Sequence, residues 1–84
     1  MNRTEIVTEI SQFVAQQANI SDPAMIGENV DLFEQGILDS LMAALLLTFC
    51  QQRFKCNLLG QDLSEDQMRT VGGLASVIAS QENQ

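Results

Sequence analysis

Apolar residues recur at three- and four-residue spacing in three stretches of this chain of 84 residues. The first stretch predicts a helix from about Thr4 to Asn19, with Asn2 or Thr4 as its cap, because its apolar residues fall on one stripe. The second runs from Ser40 to about Phe54 without Gly or Pro and is dominated by Leu, Ala and Met, which favours a helix. The stripe of the first helix consists of Ile6, Val7, Ile10, Phe13 and Val14.

The third apolar stretch predicts a last helix, for which Thr70 can be the cap. Gly72 and Gly73 fall in its first turn, and each costs a helix roughly 1 kcal/mol relative to Ala. We therefore expect this helix to depend on packing and to be the least stable element. Its apolar stripe consists of Val71, Leu74, Val77 and Ile78.

Two segments connect these helices. Asp22 before Pro23 can open a short turn in the first connection. The polar segment 57–68 has room for one short helical turn, either around Leu63 or after Ser64, where the sequence Ser64-Glu65-Asp66-Gln67 resembles a capping box. Because no alternating strand pattern competes, the chain predicts an all-α bundle of three main helices plus one short helix. Its length predicts a single domain over residues 1–84.

The net charge of −7 is unevenly distributed, since residues 4–52 hold seven acids and no base while the remainder sums to zero. Such a field repels phosphate backbones and attracts basic protein surfaces, so we expect a basic protein partner and no nucleic acid. Solubility alone would also account for the charge. No apolar run approaches the roughly 20 residues that span a bilayer, and the polar residues 1–5 do not resemble a secretory leader. These features predict a cytoplasmic protein without a membrane span.

The chain contains no His, Trp or Tyr. A Ser-His-Asp or Cys-His arrangement therefore cannot be assembled, and no cluster of His and Cys is available to bind zinc. Cys50 and Cys56 match neither a redox pair nor a metal site, and we expect reduced thiols, with Cys50 in the core. The composition thus predicts a protein that is not an enzyme.

One segment nevertheless carries a candidate for chemistry. Residues 31–41, with the core Gly36-Ile37-Leu38-Asp39-Ser40-Leu41, resemble the attachment motif of acyl and peptidyl carrier proteins. The resemblance implies that a phosphopantetheinyl transferase attaches 4'-phosphopantetheine from coenzyme A to Ser40 through a phosphodiester. It also implies that Asp39 assists recognition by the transferase and its magnesium, and that Gly36 lets the loop turn close to the helix. The dipole at a helix N-terminus favours a phosphate beside such a serine.

The resemblance extends over nearly the whole chain, through Leu32-Phe33, the long helix ending in Arg53-Phe54, and Thr70-Val71. It is stronger to peptidyl and D-alanyl carrier proteins than to fatty-acid carriers, although Met68 stands where a tryptophan is often found. It implies a carrier that holds an acyl or aminoacyl thioester on its arm. The implied partners are the transferase, an adenylating or acyl-transferring loading enzyme, and a downstream enzyme that accepts the cargo. The alternative is an acidic helical interaction module without cofactor, in which Ser40 is merely a helix cap.

The second helix also predicts a partner surface. Stepping about 100° per residue from Ser40 places Leu41, Ala44, Leu45 and Thr48 on the solvent side. Residues 41–52 hold no acid, unlike many fatty-acid carriers, so we expect largely hydrophobic docking. Alternatively, Leu41 and Leu45 fold against the preceding loop. The expected core residues of this helix are Met42, Ala43, Leu46, Leu47, Cys50 and Phe54.

Overall fold

The computed structural model describes residues 2–56, 58 and 65–82. Over these residues the chain forms four α-helices and one short 3₁₀ turn, with no strand among them, which confirms the all-α prediction. The elements are α1 (Arg3–Gln17), a 3₁₀ turn (Pro23–Met25), α2 (Ser40–Phe54), α3 (Glu65–Arg69) and α4 (Val71–Glu82).

α1 is capped by Asn2, whose Oδ1 accepts a hydrogen bond from the N–H of Glu5 at 2.8 Å. This bond satisfies one of the amide groups that the first turn of a helix leaves without an intrahelical partner. Asn19, just after the helix, has a left-handed backbone with φ of 58°. The predicted stripe lies on the core side, where Ile6, Ile10 and Val14 are fully buried and Val7 and Phe13 half-buried.

α3 begins after Ser64, which was one of the two predicted places for a short helix. The other place, around Leu63, and the Ser64 end of the capping box lie outside the described residues. Thr70 separates α3 from α4, and its Oγ1 accepts a hydrogen bond from the N–H of Gly73 at 2.9 Å. The predicted cap of the last helix is therefore confirmed.

α4 packs against α1 more extensively than any other pair of described helices pack together. Gly72 permits a second close approach, of α4 to the connection at Glu28, because a Cβ there would lie 2.6 Å from Cγ of Glu28 and 2.9 Å from its carbonyl oxygen. The N–H of Gly72 donates to that oxygen at 2.9 Å. α4 is thus anchored at Gly72 and Ala75 as well as along its stripe, and the expectation that it is the least stable element stays a prediction. Its fully buried side chains are Val71, Leu74, Ala75 and Ile78.

Arginines connect distant parts of the fold through ion pairs that follow the uneven charge of the sequence. In each pair an arginine from outside residues 4–52 contacts an acid within that range. Acids that the sequence leaves without a nearby base are thus neutralised in space. The pairs are Arg3 with Glu28, Arg53 with Glu9 at 2.6 Å, and Arg69 with Asp31 at 2.7 Å.

Cys50 lies on α2 and is buried in the core, as predicted, and neither Cys50 nor Cys56 is in a disulfide. Burial raises the pKa of the Cys50 thiol to about 12, and the neighbouring Cys56 adds to the rise. The thiol therefore stays protonated and behaves as a small apolar side chain. Separately, none of the helices that the structure describes is long and apolar enough to cross a membrane.

Candidate functional site

Ser40 is the first residue of α2, and its side chain is exposed. The cap of the helix is Asp39, whose Oδ1 accepts from the N–H of Met42 at 2.8 Å and whose carbonyl oxygen accepts from that of Ala43 at 2.8 Å. Because Asp39 satisfies the first turn, Ser40 is not the helix cap. The Ser40 hydroxyl instead lies on the surface at the positive end of the helix dipole.

The loop before Ser40 contains a hydrogen-bonded turn in which Leu32 is the main acceptor. The carbonyl oxygen of Leu32 accepts from the N–H of Ile37 at 2.9 Å and from that of Leu38 at 3.0 Å. Leu32 is fully buried and Leu38 is 4% exposed, so the two side chains fix both ends of the turn in the core. Because both ends of the turn are held in the core, the turn fixes where Asp39 and Ser40 reach the surface. We call residues 31–38 the attachment loop.

Gly36 supplies the reversal within the attachment loop. Its φ is +75°, a left-handed conformation that residues with a side chain rarely adopt. Its N–H donates to the carbonyl oxygen of Phe33 at 3.1 Å. A Cβ at Gly36 would meet no atom within 4 Å. The glycine is thus required by the backbone of the turn and not by close packing.

Arg69 contacts the start of the attachment loop from the end of α3. Its Nε donates to Oδ2 of Asp31 at 2.7 Å, and its guanidinium carbon lies 5.7 Å from the centre of the Phe33 ring. Asp31 Oδ1 accepts from the N–H of Glu34 at 3.0 Å. That backbone hydrogen bond is the main reason that the pKa of Asp31 lies below its usual 3.8, and Arg69 lowers it further.

Two exposed carboxylates lie shortly before Ser40 in the chain: Asp39 adjoins it, and Glu34 lies in the attachment loop. Asp39 and Glu34 are exposed, and none of the bases in the described part of the chain forms an ion pair with either. Their negative charge is therefore available to attract a positively charged surface.

The solvent side of α2 next to Ser40 is apolar, as the helical spacing predicted. Leu41 is 71% exposed and Leu45 is 46% exposed, and Ala44 and Thr48 are exposed between and beyond them. Leu41 is therefore not buried against the preceding loop, and Leu45 is only about half covered. We call Leu41, Ala44, Leu45 and Thr48 the α2 surface. Of the expected core residues, Leu46, Cys50 and Phe54 are buried, and Met42, Ala43 and Leu47 are half-buried.

The comparison with protein families identifies the chain. The model of the family described as phosphopantetheine attachment site matches residues 8–78, and the chain belongs to that family. Searches of curated proteins and of solved structures found no match.

The chain is therefore a carrier protein that bears a 4'-phosphopantetheine arm on a serine. It is not catalytic, and its partners are a phosphopantetheinyl transferase and the enzymes of a pathway. The arm supplies the thiol that holds the cargo as a thioester. Family membership decides against the interaction module without cofactor.

The residues at the start of α2 fit such an arm. Ser40 presents an exposed hydroxyl at a helix N-terminus, where the dipole favours a phosphodiester. A Cβ at Gly36 would meet no atom within 4 Å, so the surface of the loop is open at that residue. Arg69 was not predicted to contact this site. It lies 38 residues from Asp31, and no residue pattern near Arg69 indicates that contact.

Proposed function

We propose that Ser40 is the residue that carries the arm and that residues 1–84 act as one carrier domain. One observation supports this assignment above the others: Ser40 is exposed at the first position of α2 while the neighbouring Asp39 caps the helix. Other serines offer less. Ser11 is only 7% exposed, and Ser76 accepts a hydrogen bond from Nε of Arg3 at 3.1 Å.

In this proposal each neighbour of Ser40 has a distinct task. The Ser40 Oγ forms the phosphodiester, and the N-terminus of α2 stabilises its negative charge. The Asp39 carboxylate is held at the helix cap, where it can meet the magnesium of the transferase. Gly36 permits the left-handed turn in the loop that precedes Ser40.

Intact mass tests the assignment. The wild type, Ser40→Ala and Ser21→Ala are each incubated with coenzyme A, magnesium and a broad-specificity transferase. Ser21 is a matched control, since it is also exposed and also adjoins an aspartate that caps a turn. We expect one arm on the wild type and on Ser21→Ala, and none on Ser40→Ala. An arm on Ser40→Ala, or none on the wild type, would show the assignment to be wrong.

For the cargo we propose an aminoacyl group, loaded by an adenylating enzyme and passed to an accepting enzyme. The motif from Gly36 to Ser40 with Leu32-Phe33 ahead of it supports this choice, because that pattern is more similar to peptidyl and D-alanyl carriers. The proposed location is the cytoplasm, where coenzyme A is available to the transferase. Intact mass of the chain isolated from its own cells, before and after hydroxylamine cleaves the thioester, gives the mass of the cargo. A fatty-acyl increment would contradict an aminoacyl carrier.

We further propose that partner enzymes dock on the α2 surface. The exposed Leu41 and Leu45 offer apolar contact next to Ser40. Exposed Asp39 and Glu34 favour an enzyme with a basic rim, which speeds encounter without demanding tight binding. Weak docking suffices, because a tethered cargo typically has an effective concentration in the millimolar range.

A further inference from the structure

Arg69 contacts three consecutive residues of the attachment loop. Its carbonyl oxygen accepts from the N–H of Leu32 at 2.8 Å. Its Nε donates to Asp31 Oδ2 at 2.7 Å, and its guanidinium lies over the ring of Phe33. A main-chain bond, an ion pair and a cation–π contact thus join one residue at the end of α3 to the beginning of the loop.

Leu32 connects the Arg69 contacts with the residues next to Ser40. Its N–H is bound to Arg69, while its carbonyl oxygen binds the amides of Ile37 and Leu38. Leu38 directly precedes Asp39, the cap on which the first turn of α2 depends. The described hydrogen bonds therefore run without a break from the main chain of Arg69 to the residue before the cap. The Arg69 side chain restrains the same loop on either side of Leu32, at Asp31 and at Phe33.

We propose that Arg69 is a positioning residue for arm attachment: it holds the attachment loop so that Asp39 and Ser40 are presented to the transferase in a single geometry. The inference rests on the proposed attachment at Ser40. In this role Arg69 acts through the position of the loop and does not contact the arm or coenzyme A.

If the Arg69–Asp31 pair only stabilised the fold, its loss would lower the stability of the whole domain. The side chains of Arg69 and Asp31 are 30% and 31% exposed, and ion pairs at such positions contribute little to the stability of a whole domain. Loss of the guanidinium should therefore loosen the loop and leave the helices as they are. Loosening lowers the fraction of molecules competent for the transferase, which raises the apparent KM and leaves kcat unchanged.

Arg69→Gln tests the inference, and Arg53→Gln is its matched control. Arg53 also forms an ion pair, with Glu9 at 2.6 Å, and its guanidinium also lies over a ring, that of Phe54 at 5.8 Å, but it does not contact the attachment loop. We first measure amide exchange without transferase. In Arg69→Gln the amides of Ile37 and Leu38 should exchange about fivefold faster, which corresponds to a surface ion pair of about 1 kcal/mol. α1 amides should be unchanged, and Arg53→Gln should leave the loop amides unchanged.

Transferase kinetics then separate positioning from direct contact. Arg69→Gln and Asp31→Asn should each raise the KM for the chain at constant kcat, by no more than the roughly fivefold change in the loop equilibrium, and the double variant should do no more than Arg69→Gln alone. A higher KM in Arg69→Gln without faster exchange at Ile37 and Leu38 would mean direct contact with the transferase and would overturn the inference. So would an unchanged KM, or exchange that accelerates equally in α1. If the wild type gains no arm at all, it is instead the Ser40 assignment that fails.

Discussion

The variant Leu45→Ser tests whether Leu45 lies on a docking surface or in the core. The next residue of α2, Leu46, provides the core position for comparison. Leu45 is 46% exposed, so about half of its side chain is buried. Complete burial of a leucine contributes about 1.5–3 kcal/mol, and the variant should therefore lose about 1 kcal/mol. In a domain of this size that loss lowers Tm by about 4–8 °C.

Leu46→Ser is the matched control. Leu46 is 1% exposed, and truncation of a buried leucine costs about 2–5 kcal/mol before the cost of burying a hydroxyl is added. Since domains are stable by only about 5–15 kcal/mol, this variant should be close to unfolding at room temperature. Circular dichroism during heating measures both losses.

The functional half of the test uses the folded variant. Leu45→Ser should carry the arm on Ser40 but be loaded several-fold more slowly by its partner enzyme, because an apolar contact at the interface is lost. The slowing in Leu45→Ser should persist at high salt, since the contact that the variant removes is apolar and salt screens only the attraction between charges. Two results would refute this reasoning: a loss of stability in Leu45→Ser as large as in Leu46→Ser, or loading at the wild-type rate.

Three further variants test the supporting structure. Gly72→Ala would gain about 1 kcal/mol from helix propensity, but its Cβ would lie 2.6 Å from Cγ of Glu28, and overpacking typically costs about 1–3 kcal/mol. We expect a lower Tm, and a higher one would mean that the contact is not close. Gly36→Ala should lose about 1–2 kcal/mol in urea unfolding because of its left-handed backbone, and no loss would contradict the reported φ. Asp31 has a pKa below 3.8 in the folded chain, so its contribution to stability is complete above that pH and is lost as pH falls through the folded pKa. The stability advantage of wild type over Asp31→Asn should therefore shrink below about pH 4, and an advantage that persists in stronger acid would contradict the shift.

The sequence predicted the helices well because local signals set their ends. α2 has the predicted bounds, since Asp39 caps it and Lys55 ends it with a left-handed φ of 54°. Periodicity also separated the exposed Leu41 from the buried Leu46. These features depend on neighbours within a turn or two, which the sequence displays directly.

Features that depend on tertiary contact were not predictable. Gly72 reads as a weak point in a helix, and only the approach of Glu28 shows that a side chain would not fit. Arg69 reads as a surface charge, although it contacts the loop 38 residues away. In both cases the deciding partner is brought close by packing, which residue spacing does not encode.

The packing of α4 on α1 bears on when the chain can receive its arm. During ribosomal synthesis Ser40 emerges well before α4, but α1 lacks its most extensive packing partner until α4 has also emerged. Small domains fold as units, so the nascent chain cannot fix Arg69 against Leu32 before that point. A transferase that recognises the folded loop therefore acts on finished domains and passes over nascent ones.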